Sequence, residues 1–309
     1  MTHEHDSHAG HAHALNPDAD KRQVSIALAL IVAFMLAEVV VGILAHSLAL
    51  LSDAAHMVTD AGALLFSLIV IRLAQRPAAG NMTFGFKRTE ALSAQANGIT
   101  LLVLAGLIVF EGIHRLISPP KPAGLAILIV ALAGIVVNLL ATWQLSKANR
   151  QSMNIEGSFQ HILTDLAAFA FTAIAGGVIL ATGFQRADGI AALVVAAIML
   201  YAAYGLLRSS GRVFLEAAPR GLDVEEIGAA LVAHPRVSSV HDLHVWEIGS
   251  GFPSLSAHVL VPEGDDCHAI RRELEHELAR RFNIDHTTLQ VDHEASRLAQ
   301  IGRPLRRQG

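Results

Sequence analysis

The sequence predicts an α-helical membrane domain of six transmembrane helices, followed by a C-terminal α+β domain. Hydrophobic residues make up 52% of the 309-residue chain and charged residues only 16%, and the mean hydropathy of +0.45 lies outside the range of soluble globular proteins. Six apolar runs each reach the roughly 20 residues that a membrane-spanning helix needs. After Arg212 the apolar runs shorten and charged residues interleave with them.

The six apolar runs give the order of the membrane helices. They cover residues 24–45, 48–72, 91–115, 123–145, 158–182 and 188–207. Basic residues concentrate on the side that holds both chain ends, where they include Lys21, Arg22, Arg72, Arg76, Lys87, Arg88, Lys147, Arg150, Arg208 and Arg212, against Arg115, Lys121 and Arg186 on the other. The positive-inside rule therefore predicts that both termini are cytoplasmic.

Composition divides the chain into three segments. Residues 1–20 form a polar tail with histidines at His3, His5, His8, His11 and His13. A segment of this composition cannot bury a core, so we expect disorder. It is either a weak metal-collecting tail in the cytoplasm or a solvated tail with incidental binding. Residues 21–212 are predicted to form the transmembrane domain and residues 213–309 the cytoplasmic domain.

The C-terminal segment alternates helical and strand patterns. Asp223 is a candidate N-cap for a first helix that ends at His234 and Pro235. The elements that follow are predicted as strands over 240–248 and 255–261, a helix over about 267–282 and a strand over 287–292. The order α-β-β-α-β indicates a small open sandwich.

The pattern His-x-x-Thr-Asp occurs twice, at His56 to Asp60 and at His161 to Asp165, and both copies lie inside apolar runs. An ionisable residue at the centre of a membrane helix costs roughly 2.5 to 3.5 kcal/mol, so four in matched pairs indicate an ion site or pathway. Residues four apart share a helix face. The second and fifth helices run in opposite directions, so we expect His56 level with Asp165 and Asp60 level with His161.

Two imidazoles and two carboxylates suit tetrahedral Zn²⁺, while cobalt, nickel or copper also fit this type of ligand. A single buried histidine or aspartate is as readily explained by a hydrogen bond between helices or by an ion pair. The repetition of the same spacing in two corresponding runs favours a cation. A fifth helix that begins at residue 158 leaves His161 only a few residues inside the cytoplasmic edge. Either this boundary is too late, or the helix begins nearer Arg150.

Several other functions fit the sequence poorly. A net charge of −4 offers no basic surface for nucleic acid. Cys267 is the only cysteine, which excludes an intrachain disulfide and a two-thiolate metal site. The metalloprotease pattern His-Glu-x-x-His is absent, and the single Glu-x-x-His pair at Glu111 and His114 lacks the second copy that a di-iron bundle needs. Four protein ligands leave a metal no open position for hydrolysis, so we do not expect an enzyme.

Residues 38–60, 83–90, 216–219, 241–246 and 255–259 together resemble the cation diffusion facilitator family. The resemblance implies a homodimeric exporter in the lipid bilayer that exchanges a divalent metal, usually zinc, for protons, with six membrane helices and a metallochaperone-like cytoplasmic domain. It also implies that the membrane metal site consists of His56, Asp60, His161 and Asp165. The chain lacks a long His-rich loop between the fourth and fifth helices, which indicates a bacterial member and thus the cell inner membrane.

A second metal site is expected in the cytoplasmic domain. His241 and His258 lie on adjacent predicted strands, and His286 and Asp292 flank or occupy the last strand. These four residues can converge on one metal, and the resemblance implies a cytoplasmic site at similar positions. Alternatively, the strand histidines only support packing or a dimer face. His244 is predicted to be the weaker candidate because simple strand alternation puts it on the opposite face from His241.

Two functions remain open from the sequence. The first is a secondary transporter that exports zinc or another divalent cation from the cytoplasm in exchange for protons. The second is a membrane-bound zinc sensor that signals through its soluble domain without transport. Only the first needs access to the site from outside the cell.

Overall fold

The computed structural model describes residues 17–44, 48–118, 124–294 and 305–306. The first part of the fold consists of long helices: α1 Pro17–Leu44, α2 Leu48–Ala74, α3 Thr89–Ile117, α4 Gly124–Leu145, α5 Met153–Thr182 and α6 Ala187–Phe214. Among the described residues, all six are long and apolar enough to cross a membrane. The prediction of six membrane helices is confirmed. The five histidines of the N-terminal tail lie outside the described residues, while positions 17–20 belong to α1 rather than to the tail.

The start of α5 differs from the sequence-based prediction. The helix begins at Met153 rather than at residue 158, so His161 lies more than two turns inside it. Hydropathy missed residues 153–157 because they include the polar residues Asn154 and Glu156, although Asn154 is fully buried by neighbouring helices. The earlier start resolves the shallow position that the apolar run alone implied for His161.

Helix packing places α5 in the middle of the bundle. It contacts α4 along its length and also α2, α3 and α6, while α3 packs along α6 and α1 along α2. One apolar cluster joins α1, α2, α4 and α5 around Ile31, Leu64 and Ile162, and a second joins α3 to α6 around Leu101 and Met199. The two helices that carry the repeated motif therefore lie within one packed unit.

The C-terminal part forms an α+β sandwich. Its elements are α7 Val224–Ala233, β1 Ser239–Gly249, β2 Phe252–Val261, α8 Cys267–Phe282, β3 His286–His293 and a short β4 Leu305–Arg306. The predicted order α-β-β-α-β is confirmed, and β4 adds a strand that the sequence did not indicate. The sheet order is β3-β2-β1-β4, with β1 antiparallel to β2 and β2 parallel to β3.

Helix caps and apolar faces account for this sandwich. The side chain of Asp223 accepts hydrogen bonds from the backbone N–H groups of Glu225 and Glu226, as its predicted N-cap role requires. Ile227 on α7 and Leu274 on α8 are fully buried against one face of the sheet. The histidines of β1 and β2 lie on the opposite face.

A β-bulge in β1 overturns the prediction for His244. Asp242 has a positive φ of 50°, and the pairing slips by one residue between His241 and His244. One extra residue reverses the alternation of side chains beyond the bulge. His241 pairs with His258 and His244 with Ser256, so both β1 histidines lie on the same face. The expectation of opposite faces was wrong because it assumed an unbroken strand.

The β1–β2 turn of the sandwich contacts the end of the helical domain. The backbone N–H of Met153, at the start of α5, donates to Oγ of Ser250 over 3.0 Å. Nζ of Lys87 lies 3.5 Å from the ring centroid of Phe252. Arg88 also forms a 2.9 Å ion pair with Glu216, just beyond α6. The sandwich is thus docked beneath the helices α3 and α5.

Candidate metal centre

The side-by-side packing of α2 and α5 brings together three residues of the repeated motif. Nε2 of His161 lies 2.9 Å from Oδ1 of Asp60 and 4.0 Å from Oδ2 of Asp165. One ligand atom from each of the three lies within 4.8 Å of the others. Ligands at about 2.1 Å from a tetrahedral ion are about 3.4 Å apart. The observed separations bracket that value, so small side-chain movements suffice to enclose a cation.

The centre is shielded from water. His161 is 1% exposed and Asp60 5% exposed. The hydroxyl of Thr164 donates to the carbonyl of His161 over 2.6 Å, so the threonine of the motif satisfies its own polar group locally. Nδ1 of His161 has no hydrogen-bond partner among the described residues. A buried imidazole whose Nε2 faces two carboxylates is a donor set suited to a cation.

His56, the fourth residue of the repeated motif, lies on α2 one turn before Asp60. Its side chain is outside the described residues, as is that of Asp53. The structure therefore places three of the four predicted ligands at one point and the backbone of the fourth on the adjacent turn.

The arrangement can exchange a metal for protons. Carboxylates and imidazole bind metal only in their unprotonated forms, so metal and protons compete for the same atoms. Because the group is buried, whatever occupies it must offset the charge of the two carboxylates. A divalent cation or protons can each fill this role.

The histidines of the sandwich form a second cluster. The rings of His241 and His258 are stacked, with centroids 5.1 Å apart and an angle of 17° between their planes. Nδ1 of His241 lies 3.3 Å from Oδ2 of Asp242. Nε2 of His241 and Nδ1 of His258 have no hydrogen-bond partner within the described part of the chain. The pair offers two nitrogen donors and a nearby carboxylate.

The other two predicted residues of the cytoplasmic site lie at different distances from this pair. Gln290 pairs with His258 across β2 and β3, and Asp292 lies two positions further on the same face, where its Oδ2 accepts from Nε2 of Gln290. His286 lies at the other end of β3, with ring centroids 5.5 Å from Phe252 and 5.8 Å from Phe84. The unbroken register puts both Asp292 and His286 on the face of the histidine pair, but His286 lies four positions before Gln290, about 13 Å along the strand.

Asp242 is the residue that sequence reasoning missed at this cluster. Its proximity to His241 depends on the bulge, and its positive φ is one that aspartate adopts more readily than most residues. The only signal in the sequence was the dipeptide His241-Asp242. Two polar groups elsewhere in the helical domain have partners close in the chain: Asn138 donates to the carbonyl of Gly134 within α4, and Glu111 forms an ion pair with Arg115.

Comparisons with known proteins cover both parts of the chain. A family model described as the cation efflux transmembrane domain matches residues 24–215, and one described as the cation efflux protein, cytoplasmic domain, matches residues 219–294. Together they span the six helices and the sandwich through β3.

Among curated proteins, the chain is 35% identical over 291 residues to the cadmium, cobalt and zinc/H(+)-K(+) antiporter of Bacillus subtilis, covering 93% of each chain. It is 38% identical over 286 residues to the metal cation efflux system protein CzcD of Cupriavidus metallidurans, covering 92% of this chain and 90% of that one. It is 36% identical over 296 residues to the zinc transporter ZitB of Escherichia coli, covering 95% and 93%. Among solved structures, the metal-bound C-terminal domain of the CzcD transporter matches 23% of this chain at 36% identity with a TM-score of 0.22.

Proposed function

The chain belongs to the cation efflux family, and we propose that it exports divalent metal cations, zinc foremost, from the cytoplasm in exchange for protons. It is a multi-pass membrane transporter, and we assign it no enzymatic activity. The observation that carries the proposal is the buried group of Asp60, His161 and Asp165 at the packing of α2 against α5.

We assign the transport site to His56, Asp60, His161 and Asp165. Metal reaches these residues from the cytoplasm while the carboxylates are ionised and the imidazoles neutral. The helices then reorient so that the site faces outward, and protons arriving from that side displace the metal. The same four side chains carry the protons back. The support for this assignment is the 2.9 Å contact between Asp60 and His161, which joins the two motif helices.

The orientation is part of the proposal. We place residues 21–212 in the cell inner membrane and residues 213–309, together with both termini, in the cytoplasm. The basic residues near the contact between the helical domain and the sandwich support this, because positive charges favour the cytoplasmic side. Lys87 and Arg88 both lie at that contact.

The cytoplasmic domain is proposed to hold a second metal and to join two copies of the chain. His241, His258 and Asp292 share one face of the sheet, with His286 too distant in a single chain to join them. A homodimer that places two such faces together would combine donors from both copies. The histidines of the N-terminal tail are proposed to collect zinc weakly near the membrane.

The function is tested by flux into vesicles reconstituted with the purified full-length protein. With a pH gradient imposed, the wild-type protein should move zinc, and Asp165→Ala should abolish the flux because the site loses a ligand. Asp188→Ala is the matched control, since Asp188 forms an ion pair with Arg115 on α3, away from the metal centre. Equal flux in wild type and Asp165→Ala would contradict the assigned site.

The alternative function is a zinc sensor in the membrane. Zinc binding at the centre without any flux under a pH or zinc gradient would support the sensor and overturn the exporter. Repeating the flux with cadmium, cobalt and nickel would define the selectivity.

A further inference from the structure

A row of polar residues runs along α5 from the metal centre toward its cytoplasmic end. Asn154, Ser158, His161 and Asp165 follow one another at intervals of four, three and four residues, which places them on one helix face. Asn154 is fully buried and Ser158 is 1% exposed. A polar stripe inside a membrane bundle needs an explanation, because apolar residues would pack there at lower cost.

Asn154 connects three helices through its side-chain amide. Its Oδ1 accepts a hydrogen bond from Oγ of Ser93 on α3 over 2.5 Å, and its Nδ2 donates to the carbonyl of Ser67 on α2 over 3.1 Å. Ser67 and Ser93 are also fully buried. The amide thus uses both ends to hold α2 and α3 against α5.

The hydrogen bonds of Asn154 lie at a single depth in the bundle, on the cytoplasmic side of the metal centre. Ser67 follows Asp60 by seven residues on α2, and Asn154 precedes His161 by seven residues on α5. Seven residues of helix correspond to about 10 Å. Because α2 and α5 run in opposite directions, both steps point to the same cytoplasmic end.

A cavity with both polar and apolar lining begins directly on the cytoplasmic side of this level. Its volume is about 260 Å³, and it is lined on the helical side by Ile71, Glu90, Ser152 and Ile155 and on the other side by the β1–β2 turn. Ile71 lies one turn beyond Ser67, and Ile155 is adjacent to Asn154. The three-helix connection therefore separates the cavity from the metal centre.

Two buried polar atoms at this level have no hydrogen-bond partner among the described residues. They are Oγ of Ser67 and Nδ2 of Asn97. A Cβ added to Gly157 would lie 3.0 Å from Nδ2 of Asn97, so α3 and α5 pack closely here. Unpaired buried polar atoms destabilise a closed packing but would be hydrated if the helices separated. These unpaired atoms are consistent with a path that excludes water when the helices are packed and admits water when they separate.

We propose that Asn154, with Ser93 and Ser67, forms a latch that closes the path between the metal centre and the cytoplasmic cavity. Asn154 acts as a positioning residue that holds α2, α3 and α5 together without contacting the metal. Hydrogen bonds between membrane helices are weak enough to break and re-form during a transport cycle. The inference rests on the proposed function for the direction of metal movement, while the closure itself is measured without metal.

The test measures access to the path from the cytoplasmic side. A Ser158→Cys reporter is introduced into a Cys267→Ser background, so that the reporter is the only cysteine, and inside-out vesicles are treated with a membrane-impermeant thiol reagent. Adding Asn154→Ala removes two interhelical hydrogen bonds, so it should raise the labelling rate by at least the roughly 3- to 20-fold that corresponds to losing one such bond in a membrane protein. Asn138→Ala is the matched control, because within the described part of the chain the Asn138 amide donates to a carbonyl of its own helix.

Two further reporters distinguish a latch from general loosening. Ala175→Cys lies in the outer half of α5 and is also buried, so its labelling from the outer side, measured in right-side-out vesicles, should not change with Asn154→Ala. Gln75→Cys lines the cavity and should be labelled rapidly with or without the latch. Increased labelling at both Ser158→Cys and Ala175→Cys would mean that Asn154 is only a structural bond, which overturns the proposal.

A second variant keeps the test decisive if Asn154→Ala does not fold. Ser93→Ala removes only the donor to Asn154 and should produce a smaller increase at Ser158→Cys. Labelling that stays at the Asn138→Ala level in the folded variant would also overturn the proposal. Zinc flux measured in the same vesicles tests the proposed function separately. The labelling assay reports whether the path is open or closed even if no metal is transported.

Discussion

Asp60 illustrates how a single charge determines what the metal centre can bind. Its carboxylate is 5% exposed and lies 2.9 Å from His161. At such burial a negative charge is stable only with a cation or proton close to it. The residue therefore links metal binding to protonation.

Replacing Asp60 with asparagine tests how much its negative charge contributes to metal binding, because the side-chain shape is nearly unchanged. Asp60→Asn keeps the side-chain volume but removes the charge. Losing a residue that merely supports a metal ligand lowers metal affinity about 10- to 100-fold, so losing the charge of a ligand should lower zinc affinity by at least as much. Competition with a chromophoric chelator in detergent measures this affinity. Asp188→Asn serves as the control, and an unchanged affinity in Asp60→Asn would remove Asp60 from the site.

The same variant should change the dependence of binding on pH. Wild-type affinity should fall as the pH falls, because protons compete for the ligand atoms. Asp60→Asn has one fewer competing carboxylate, so its affinity should decline less steeply. Parallel slopes in the two proteins would show that Asp60 takes up no proton on metal release.

At the scale of elements, the N-cap of α8 contributes a titratable part of stability. The N-cap Asp266 accepts hydrogen bonds from the backbone N–H groups of Ala269 and His268, and these bonds lower the pKa of its carboxyl below the ordinary 3.8. A lowered acid pKa stabilises the folded state above pH 3.8, and this contribution is lost as the pH falls through the folded pKa.

Asp266→Asn should therefore flatten the acid side of the stability profile. The amide oxygen still caps α8 but does not titrate, so the urea midpoint should vary less with pH below 3.8 than in the wild type. Fluorescence of Trp246 in β1, measured in a Trp143→Phe background, reports on unfolding of this domain. An equally steep acid loss in Asp266→Asn would mean that another group causes it.

The packing of α4 against α5 depends on a glycine. A Cβ at Gly134 would lie 2.5 Å from the ring of Phe169, closer than real contacts allow. Gly134→Ala should therefore destabilise the helical domain by about 1 to 3 kcal/mol, the usual cost of overpacking. Thermal unfolding in detergent measures the effect. Gly106→Ala is the control because a Cβ there meets nothing within 4 Å, and equal melting temperatures would refute this packing.

At the scale of the whole molecule, the β1–β2 turn joins the sandwich to the helices that carry the metal centre. Ser250 bonds the first residue of α5, and Gly249 lies against Lys87 so closely that an added Cβ would be 2.9 Å from Cβ of Lys87. The turn is also the lower wall of the cavity beneath Asn154. Movement of the sandwich is thereby connected to the start of α5.

Gly249→Ala should loosen this contact without unfolding either part. Amide hydrogen exchange should become faster at Met153, whose N–H bonds Ser250, and at residues 84–88, while the core of β1 and β2 stays protected. Gly211→Ala is the control, since a Cβ at that helical position has no neighbour within 4 Å. Unchanged exchange at Met153 would show that the turn does not restrain α5.

Apolar length, helix periodicity and cap residues are local properties, and these were sufficient to predict six membrane helices, the α-β-β-α-β order and the Asp223 cap. The repeated His-x-x-Thr-Asp pattern also placed the candidate ligands on one face of each of two helices. Hydropathy failed at the start of α5 because polar residues such as Asn154 are buried by neighbouring helices rather than by apolar character. The alternation rule failed at His244 because a bulge depends on the partner strand.

The sequence by itself determined which segments span a membrane and which residue types gather as metal donors, since both follow from composition and spacing along one helix. Only the tertiary structure decided that Asp60 meets His161, that Asp242 approaches His241 while His286 does not, and that Asn154 joins three helices above a cavity. These contacts join residues that are distant in the chain, so they depend on the register between packed helices and strands, which no local pattern specifies.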